Sequence, residues 1–369
     1  MKIDIALRLK PFSTHPGAFV PLPGSVYGVQ IFPTRLCVYD LKTADRALLM
    51  ECSHNIRGPF DNFATFLDLE KECIRVFGHC PAGLLRYDIR AVEKGSNLAI
   101  DTGRSKTEEK LKWSVQANKG SVREDASTLF WQDDNAVTTP ISSSMERLAL
   151  GCHKKQDWEG VVQRKDIREF LPFWFRLGSI APALKDPIIK EGTASLLTSL
   201  EKAIAASDPQ AITPTLSNIF ACGFCGILFP RLIDNDYQGI VDESTALSRD
   251  ASPLVLLKEG ARLIRSLFIR QEKEVVQILP SVPAELYCGR LTGIACPDIG
   301  IIEIEWSKKK VRRLKIYAEH DGNILLAFKG GIKRFRVRRN RRDIGFVMQV
   351  GTPLAIQKGT AYDLDLFEK

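Results

Sequence analysis

Two short segments of this chain place carboxylates beside an aromatic residue, which is the combination that sugar-binding sites use. In the first segment, His153 and Asp157 are four residues apart and would share one face of a helix, next to Trp158 and Glu159. Carboxylates bind hydroxyl groups or act as acid and base on a glycosidic bond, and an aromatic ring stacks on the sugar. The alternative is structural: Trp158 anchors a helix in the core while its neighbours cap that helix or face solvent.

The second segment is the acidic loop Asp234-Asn-Asp-Tyr-Gln238, which follows Pro230. A glycosidase needs two carboxyl groups about 5 to 9.5 Å apart. The spacing of the acidic loop does not match a calcium-binding loop, which needs Gly at the sixth position and Glu at the twelfth. Asp and Asn are also ordinary turn formers. Together the two segments supply the catalytic candidates Asp157, Glu159, Asp234 and Asp236, and the ligand-binding candidates His153, Trp158 and Tyr237.

The cysteines indicate reduced thiols rather than a metal centre or a disulfide framework. Cys222 and Cys225 form a lone C-x-x-C pair in an apolar, helical stretch, without a second pair at zinc-binding spacing or the βαβ context of a redox motif. We therefore predict buried, inert thiols there. The nine cysteines are odd in number and dispersed, which favours a reducing, cytoplasmic location. We predict no metal and no cofactor.

One segment of the chain is strongly basic. From Ser307 to Arg342 there are fourteen Lys or Arg residues and two acidic residues, Glu319 and Asp321, which give a local net charge of +12. The whole chain has a net charge of +8, so the rest of the chain has a net charge of about −4. Such a segment suits contacts with phosphates or with another anionic partner. The predicted anion-binding residues are Arg334, Arg336, Arg338, Arg341 and Arg342.

Two structural roles compete with anion binding in this segment. Glu303 and Glu305 on a neighbouring strand would offset Arg313 and Lys315 across the sheet. Lysine-rich edges also protect sheets from aggregation. Aromatic residues for base stacking are sparse on this face, so recognition of nucleic-acid bases is not predicted.

The length and the hydrophobic pattern predict a multidomain α+β protein. A chain of 369 residues exceeds the usual size of one core, and its apolar runs are too short for a membrane span. Its first residues, Met1-Lys-Ile-Asp-Ile-Ala-Leu-Arg8, carry charges too often for a secretory signal. We predict an antiparallel β-sandwich over 1–140, a short helical region over 145–270 and a small β-sandwich over 273–369.

Local signals refine these three regions. Asp186 and Asp208 each precede a proline, a pattern typical of a helix start, and Ser252-Pro253 opens the clearest helix. In the third region, Ile302, Ile304 and Trp306 alternate with glutamates as in a half-buried strand. Asp321-Gly322 predicts a turn between the apolar runs 314–317 and 324–328.

The end of the helical region and the start of the third region resemble a known family. The helix 252–269 is followed by Val276-Gln-Ile-Leu-Pro-Ser-Val-Pro283, Cys288-Gly-Arg-Leu-Thr-Gly293 and Ile302-Glu-Ile-Glu-Trp306. This segment resembles the closing part of toroidal bacterial glycoside hydrolases of the alpha-L-fucosidase and phosphorylase type. The resemblance covers about 252–320 and implies the order β-sandwich, helical toroid, β domain.

The chain departs from that family in its middle region. A complete toroid of twelve helices needs well over ~200 residues, about twice what this region provides, so the resemblance implies a truncated barrel. No family carboxylate matches a position here. We therefore predict a degenerate glycoside-hydrolase-like protein with a carbohydrate-related binding or scaffold role. The alternatives are an interaction protein that binds an anionic partner, either nucleic acid or acidic protein, through 333–342, and a residual glycosidase. No membrane partner is predicted, and the oligomeric state is left open.

Overall fold

The computed structural model describes residues 8–92, 97–133, 144–152, 157–234, 239–241, 246–339 and 343–369. Its elements follow the order β, α, β, and the sheets are mostly antiparallel. The predicted α+β multidomain class is therefore confirmed. Within the described ranges, none of the helices combines the length and the apolar character needed to cross a membrane.

The described residues of the first part of the chain form thirteen short strands. In several of them, for example Cys73–Cys80 and Thr128–Gln132, buried residues alternate with more exposed ones, as one-sided strands require. The strands are β1 Phe12–Thr14, β2 Phe19–Pro21, β3 Tyr27–Ile31, β4 Arg35–Asp40, β5 Leu48–His54, β6 Asp61–Asp68, β7 Cys73–Cys80, β8 Gly83–Val92, β9 Asn97–Asp101, β10 Lys106–Thr107, β11 Trp113–Ala117, β12 Ser121–Asp125 and β13 Thr128–Gln132.

These strands pair into two antiparallel sheets that share one core. The first has the order β1-β6-β7-β8-β9-β13-β12, with β10 added beside β8, and the second has the order β11-β5-β4-β3-β2. Side chains from the two sheets meet in the interior, where Tyr27 of β3 packs edge-on against Trp131 of β13 with ring centroids 5.2 Å apart. The first part of the chain is therefore a β-sandwich, as predicted.

The middle of the chain begins with a strand and continues with helices. The strand β14 (Arg147–Ala149) pairs with a strand of the C-terminal sheet, so this short segment is not helical as predicted. The helices are α1 Trp158–Arg164, α2 Ile167–Ile180, α3 Leu196–Ala205, α4 Pro209–Gly223 and α5 Leu254–Phe268; a 3₁₀ turn covers Gly192–Ser195, and the short strands β15 Phe224–Cys225 and β16 Phe229–Pro230 precede α5.

Capping side chains define where several of these helices begin. Asp166 and Asp208 each accept a hydrogen bond from a backbone N–H two residues further on, at 3.0 and 2.9 Å. The helix start predicted at Asp208-Pro209 is therefore confirmed. The start predicted at Asp186-Pro187 is wrong, because no helix follows that pair in the described segment before Gly192. Helix α5 begins at Leu254, with the Ser252 hydroxyl 3.3 Å from its N–H.

Glycines let the helical region pack closely on itself and on the sandwich. A Cβ at Gly178 of α2 would lie 2.1 Å from the Leu257 carbonyl oxygen of α5. A Cβ at Gly28 of β3 would lie 2.0 Å from the ring of Phe229. Only glycine permits both approaches, so the helices are held against each other and against the second sheet of the sandwich.

The last part of the chain is again β structure. Its strands are β17 Ile269–Glu272, β18 Val275–Ile278, β19 Cys288–Cys296, β20 Gly300–Ser307, β21 Lys310–Ala318, β22 Gly322–Phe328, β23 Arg334–Arg338, β24 Phe346–Gln349, β25 Leu354–Ile356 and β26 Ala361–Glu368, with a 3₁₀ turn at Ala284–Leu286.

Two sheets make up this C-terminal part. The larger has the order β14-β19-β20-β21-β26-β23-β24, and the smaller has the order β17-β18-β22-β25. The turn at Asp321-Gly322 therefore joins strands of different sheets rather than forming a local hairpin. Strand β23 lies between β26 and β24, and β24 is the last strand of its sheet. This placement brings the arginine-rich segment to a sheet edge.

Candidate functional site

The first acidic and aromatic segment has structural roles in the described residues. The Asp157 carboxylate caps α1 by accepting a hydrogen bond from the Gly160 N–H at 2.7 Å. Trp158 is 4% exposed, and its ring packs edge-on against Phe12 with centroids 5.7 Å apart. A sugar platform needs an open ring face, which Trp158 does not offer. We therefore assign Trp158 to the core and Asp157 to helix capping.

Glu159 is the exposed member of this segment. Its carboxylate lies 3.0 Å from Nδ1 of His15, which follows β1. Both side chains are mostly in solvent, so the contact links α1 to the sandwich without enclosing a cleft. The predicted partner His153 lies outside the described residues.

The second acidic segment is also engaged within the protein where it is described. Asp234 is buried, and its carboxylate lies 3.3 Å from Nη2 of Arg231. The Arg231 Nε in turn donates to the Cys222 carbonyl at 2.9 Å. Asp234 thus fixes the chain after α4. Asp236 and Tyr237 lie outside the described residues, so the sugar-related and residual-glycosidase hypotheses stay predictions.

The C-x-x-C pair consists of two free thiols. The Cys222 Sγ lies 3.1 Å from the Asn218 carbonyl of the preceding helical turn, and burial raises the pKa of this thiol to about 11. Cys225 is half-buried and lies in the short strand β15. A thiol with a raised pKa is a poor nucleophile at neutral pH, in agreement with the predicted inert role for Cys222.

A cysteine and two carboxylates meet at the start of α2, but arginines already occupy the carboxylates. One ligand atom each of Cys152, Asp166 and Glu169 lies within 4.8 Å of the others. Asp166 binds Arg168 at 2.6 Å, and Glu169 binds Arg164 at 2.6 Å. Because these guanidinium groups balance the carboxylate charges, we assign the cluster to an ion-pair network.

The arginine-rich strand β23 pairs with an acidic strand of the same sheet. Arg336 donates to Asp365 of β26 through Nε at 2.8 Å and Nη2 at 3.0 Å, and Arg338 donates to the same carboxylate at 2.6 Å. Arg334 donates to Glu368 at 2.7 Å. Three predicted anion-binding arginines therefore share two carboxylates. The other two, Arg341 and Arg342, lie outside the described residues.

The hydrogen bonds shift the acid–base properties of this group. The bonds from Arg336 hold the pKa of Asp365 below its usual range, and the Asp365 carboxylate raises the pKa of Arg336. Asp365 and Arg336 therefore both stay charged at neutral pH.

Charges of opposite sign alternate from strand to strand across the outer face of this sheet. Arg290 of β19 lies 3.2 Å from Glu303 of β20, and Arg313 of β21 lies 2.9 Å from Asp363 of β26. Glu305 is opposite Arg313 in the strand register, as predicted, but the guanidinium bonds to Asp363 on its other side. Arg290 and Arg313 are thus compensated by carboxylates of neighbouring strands.

That compensation is incomplete at the edge of the sheet. Within the described ranges, the side chains of Lys329, Lys333 and Arg339 are exposed, and neither lysine makes an ion pair with a carboxylate. Asp343 binds the backbone N–H of Arg339 at 3.0 Å. The edge formed by β23, β24 and their flanking residues therefore keeps an excess of positive charge.

Exposed apolar side chains lie on the same edge. Ile344 is 86% exposed, Phe346 is 47% exposed and Val347 is 65% exposed. Leu366, on the neighbouring β26, is also exposed. We call this combined surface the basic–apolar edge: residues 333–339 and 343–349. Sequence reasoning found its arginines but missed its apolar half, although the run Ile344-Gly-Phe-Val-Met348 directly after the arginines was the available signal.

Comparisons with known proteins add no family to this description. No protein-family model matches the chain, and no curated protein matches it either.

Proposed function

We propose that this protein is an interaction protein that binds an acidic protein partner on the basic–apolar edge. The observation that carries the proposal is the coincidence of exposed cations and exposed apolar side chains. Lys333 forms no ion pair among the described residues, Arg339 has only the nearby Asp343 to balance its charge, and Phe346 and Val347 are exposed beside them. A surface patch that is both apolar and charged is typical of a binding site.

The mixed character of the edge favours an acidic protein over nucleic acid. Asp365, Glu368 and Asp343 lie among the basic residues, so the cations of this edge do not form the unbroken row that a phosphate backbone would follow. A protein partner places its charges at discrete points and supplies apolar contacts between them. Phe346 is the exposed aromatic side chain on this edge, whereas single-stranded nucleic acid usually requires several stacking residues.

Titration with polyglutamate at several salt concentrations tests the proposal. The test variant is Lys333→Gln/Arg339→Gln, and the matched control is Lys308→Gln/Lys309→Gln, which removes the same charge from the exposed turn between β20 and β21. Each exposed ion pair is worth up to about 1 kcal/mol, so we expect the test variant to bind about tenfold more weakly at low salt.

Two results would count against this function. Equal loss of binding in both variants would show that polyglutamate responds to net charge alone. If polyglutamate did not bind the wild-type chain even at low salt, an acidic partner would be excluded.

A further inference from the structure

We propose that the partner binds as an extended strand that pairs with β24 and continues the C-terminal sheet. This inference rests on the proposed function, because it specifies how the acidic partner occupies the basic–apolar edge. Strand β24 pairs with β23 on one side and, among the described residues, with no strand on the other. Its other side therefore presents backbone N–H and C=O groups in the arrangement that an added strand requires.

Strand β24 is only four residues long, which itself limits strand addition, but two other common protections are missing from it. Protein edges are commonly blocked by charges or proline within the strand. The residues of β24, Phe346-Val-Met-Gln349, include neither. By contrast, the edge strand β12 of the first sheet carries Arg123, Glu124 and Asp125, all exposed. The open edge at β24 is thus suited to a partner strand.

The register of β24 specifies the pattern of the partner. Phe346 and Met348 are opposite the buried residues Val337 and Phe335, so they face the inner side of the sheet. Val347 is opposite Arg336, so it faces the outer, charged side. Because side chains of a strand alternate between the two faces, a partner strand would place apolar residues inside and acidic residues outside.

The geometry permits the acidic residues to reach the arginines. Adjacent strands lie about 4.8 Å apart, so the added strand would run about 10 Å from β23. Arg334 is more than half exposed on the outer face, and Lys333 precedes it. Long side chains on both strands span this distance, and Val347 between them supplies apolar surface.

Charge selects an acidic peptide rather than a second copy of this chain. Pairing of β24 with β24 of another copy would bring two sets of the exposed cations Lys333 and Arg339 to one interface. Like charges at an interface oppose association. An acidic strand balances the same residues, so we commit to a partner segment with alternating apolar and acidic residues.

The test uses three peptides of seven residues, all with blocked termini. The first alternates valine and glutamate, and the second has the same composition with all glutamates before all valines. A third peptide repeats the alternating sequence with N-methyl groups that prevent strand pairing. We expect the alternating peptide to bind at least about tenfold more tightly than the other two. We also expect it to slow hydrogen exchange of those β24 amides that face away from β23 in the wild-type chain.

A pair of variants locates the site. Val347→Glu places a negative charge where the acidic strand would lie, and like-charge contacts at an interface oppose binding strongly. We expect it to weaken binding about tenfold or more. Val122→Glu makes the same exposed change on the edge strand β12, and we expect it to leave binding unchanged.

The outcomes separate this inference from the proposed function. Equal binding of all three peptides, or unprotected β24 amides, would overturn strand addition even if polyglutamate binding still depended on Lys333 and Arg339. Preferential binding of single-stranded nucleic acid, or self-association that protects β24, would also overturn it. If the peptide still protected the β24 amides but polyglutamate binding did not depend on Lys333 and Arg339, the proposed function would be refuted instead.

Discussion

Replacement of Asp365 by asparagine is expected to lower stability and strengthen anion binding at the same time. The carboxylate accepts three hydrogen bonds from two arginines of β23, at 2.8, 3.0 and 2.6 Å. An asparagine oxygen is neutral and cannot balance both guanidinium groups. The two arginines would then repel each other and become available to an anionic partner.

The size of the stability loss follows from the exposure of the carboxylate. Hydrogen bonds to charged groups contribute about 1.5 to 3 kcal/mol when buried, but exposed ion pairs contribute only about 0 to 1 kcal/mol. The Asp365 side chain is 21% exposed, which lies between these cases. We therefore expect Asp365→Asn to reduce the free energy of unfolding by about 1 kcal/mol, measured by urea denaturation at pH 7.

The pH dependence of this loss has a definite sign. The arginines lower the pKa of Asp365, so the folded state holds the carboxylate ionised more strongly than the unfolded state does. The stabilisation is present above pH ~4, the ordinary aspartate range, and is lost as the pH falls through the lowered pKa. Wild type and variant should therefore converge in stability in acid.

The matched control is Glu303→Gln on the same face of the sheet. Glu303 has a similar exposure and pairs with Arg290, but it lies on β20, away from the basic–apolar edge. Polyglutamate should bind Asp365→Asn more tightly than wild type and bind Glu303→Gln as wild type does. An Asp365→Asn variant of unchanged stability and unchanged polyglutamate affinity would refute the reasoning.

Three further predictions concern the sandwich and its contact with the helices. The Tyr87 hydroxyl is buried without a hydrogen-bond partner among the described residues, so Tyr87→Phe should stabilise the fold by up to about 1 kcal/mol. Tyr27→Phe removes a hydrogen bond to Asp133 and should destabilise the fold. The reverse order of stabilities in urea denaturation would contradict this. Burial lowers the pKa of His54, so the free energy of unfolding should fall as the pH drops from about 6.5 through that lowered pKa. His54→Phe should remove this pH dependence. An unchanged slope in the variant would show that another group causes it. Gly28→Ala should destabilise by about 1 to 3 kcal/mol, because the new Cβ overlaps a ring of the helical region; wild-type stability would show that this contact adapts freely.

Local patterns in the sequence predicted the sheets well because strand periodicity depends on neighbouring residues. The alternation of Ile302, Ile304 and Trp306 with glutamates matches β20, whose three apolar side chains are buried. The one-sided character of β23 was predicted correctly for the same reason. The cap at Asp208 was also readable, since a cap acts within one helical turn.

Pairings between distant segments were not readable from single stretches. Strand β14 joins β19 across the whole helical region, and nothing within Arg147–Ala149 specifies that partner. The Asp321-Gly322 turn suggested a local hairpin, but its two strands enter different sheets.

The candidate site shows the same division between local and distant information. The arginines were evident as a basic run, but their partners Asp365 and Glu368 come about thirty residues later. The alternating acidic residues of β26 could have predicted these ion pairs, but only if the order of the strands in the sheet had been known. The burial of Trp158 was decided by Phe12, which lies far away in sequence and supplies the contact that covers its ring.

Zero-length carbodiimide cross-linking of the wild-type chain to polyglutamate tests the central claim most directly. The reagent joins carboxylates to lysines in direct contact, and mass spectrometry of the digest identifies the lysine. Binding at the basic–apolar edge predicts cross-links concentrated at Lys333 and suppressed by added salt. Cross-links concentrated at the equally exposed Lys308 and Lys309, or spread evenly over the chain, would contradict it.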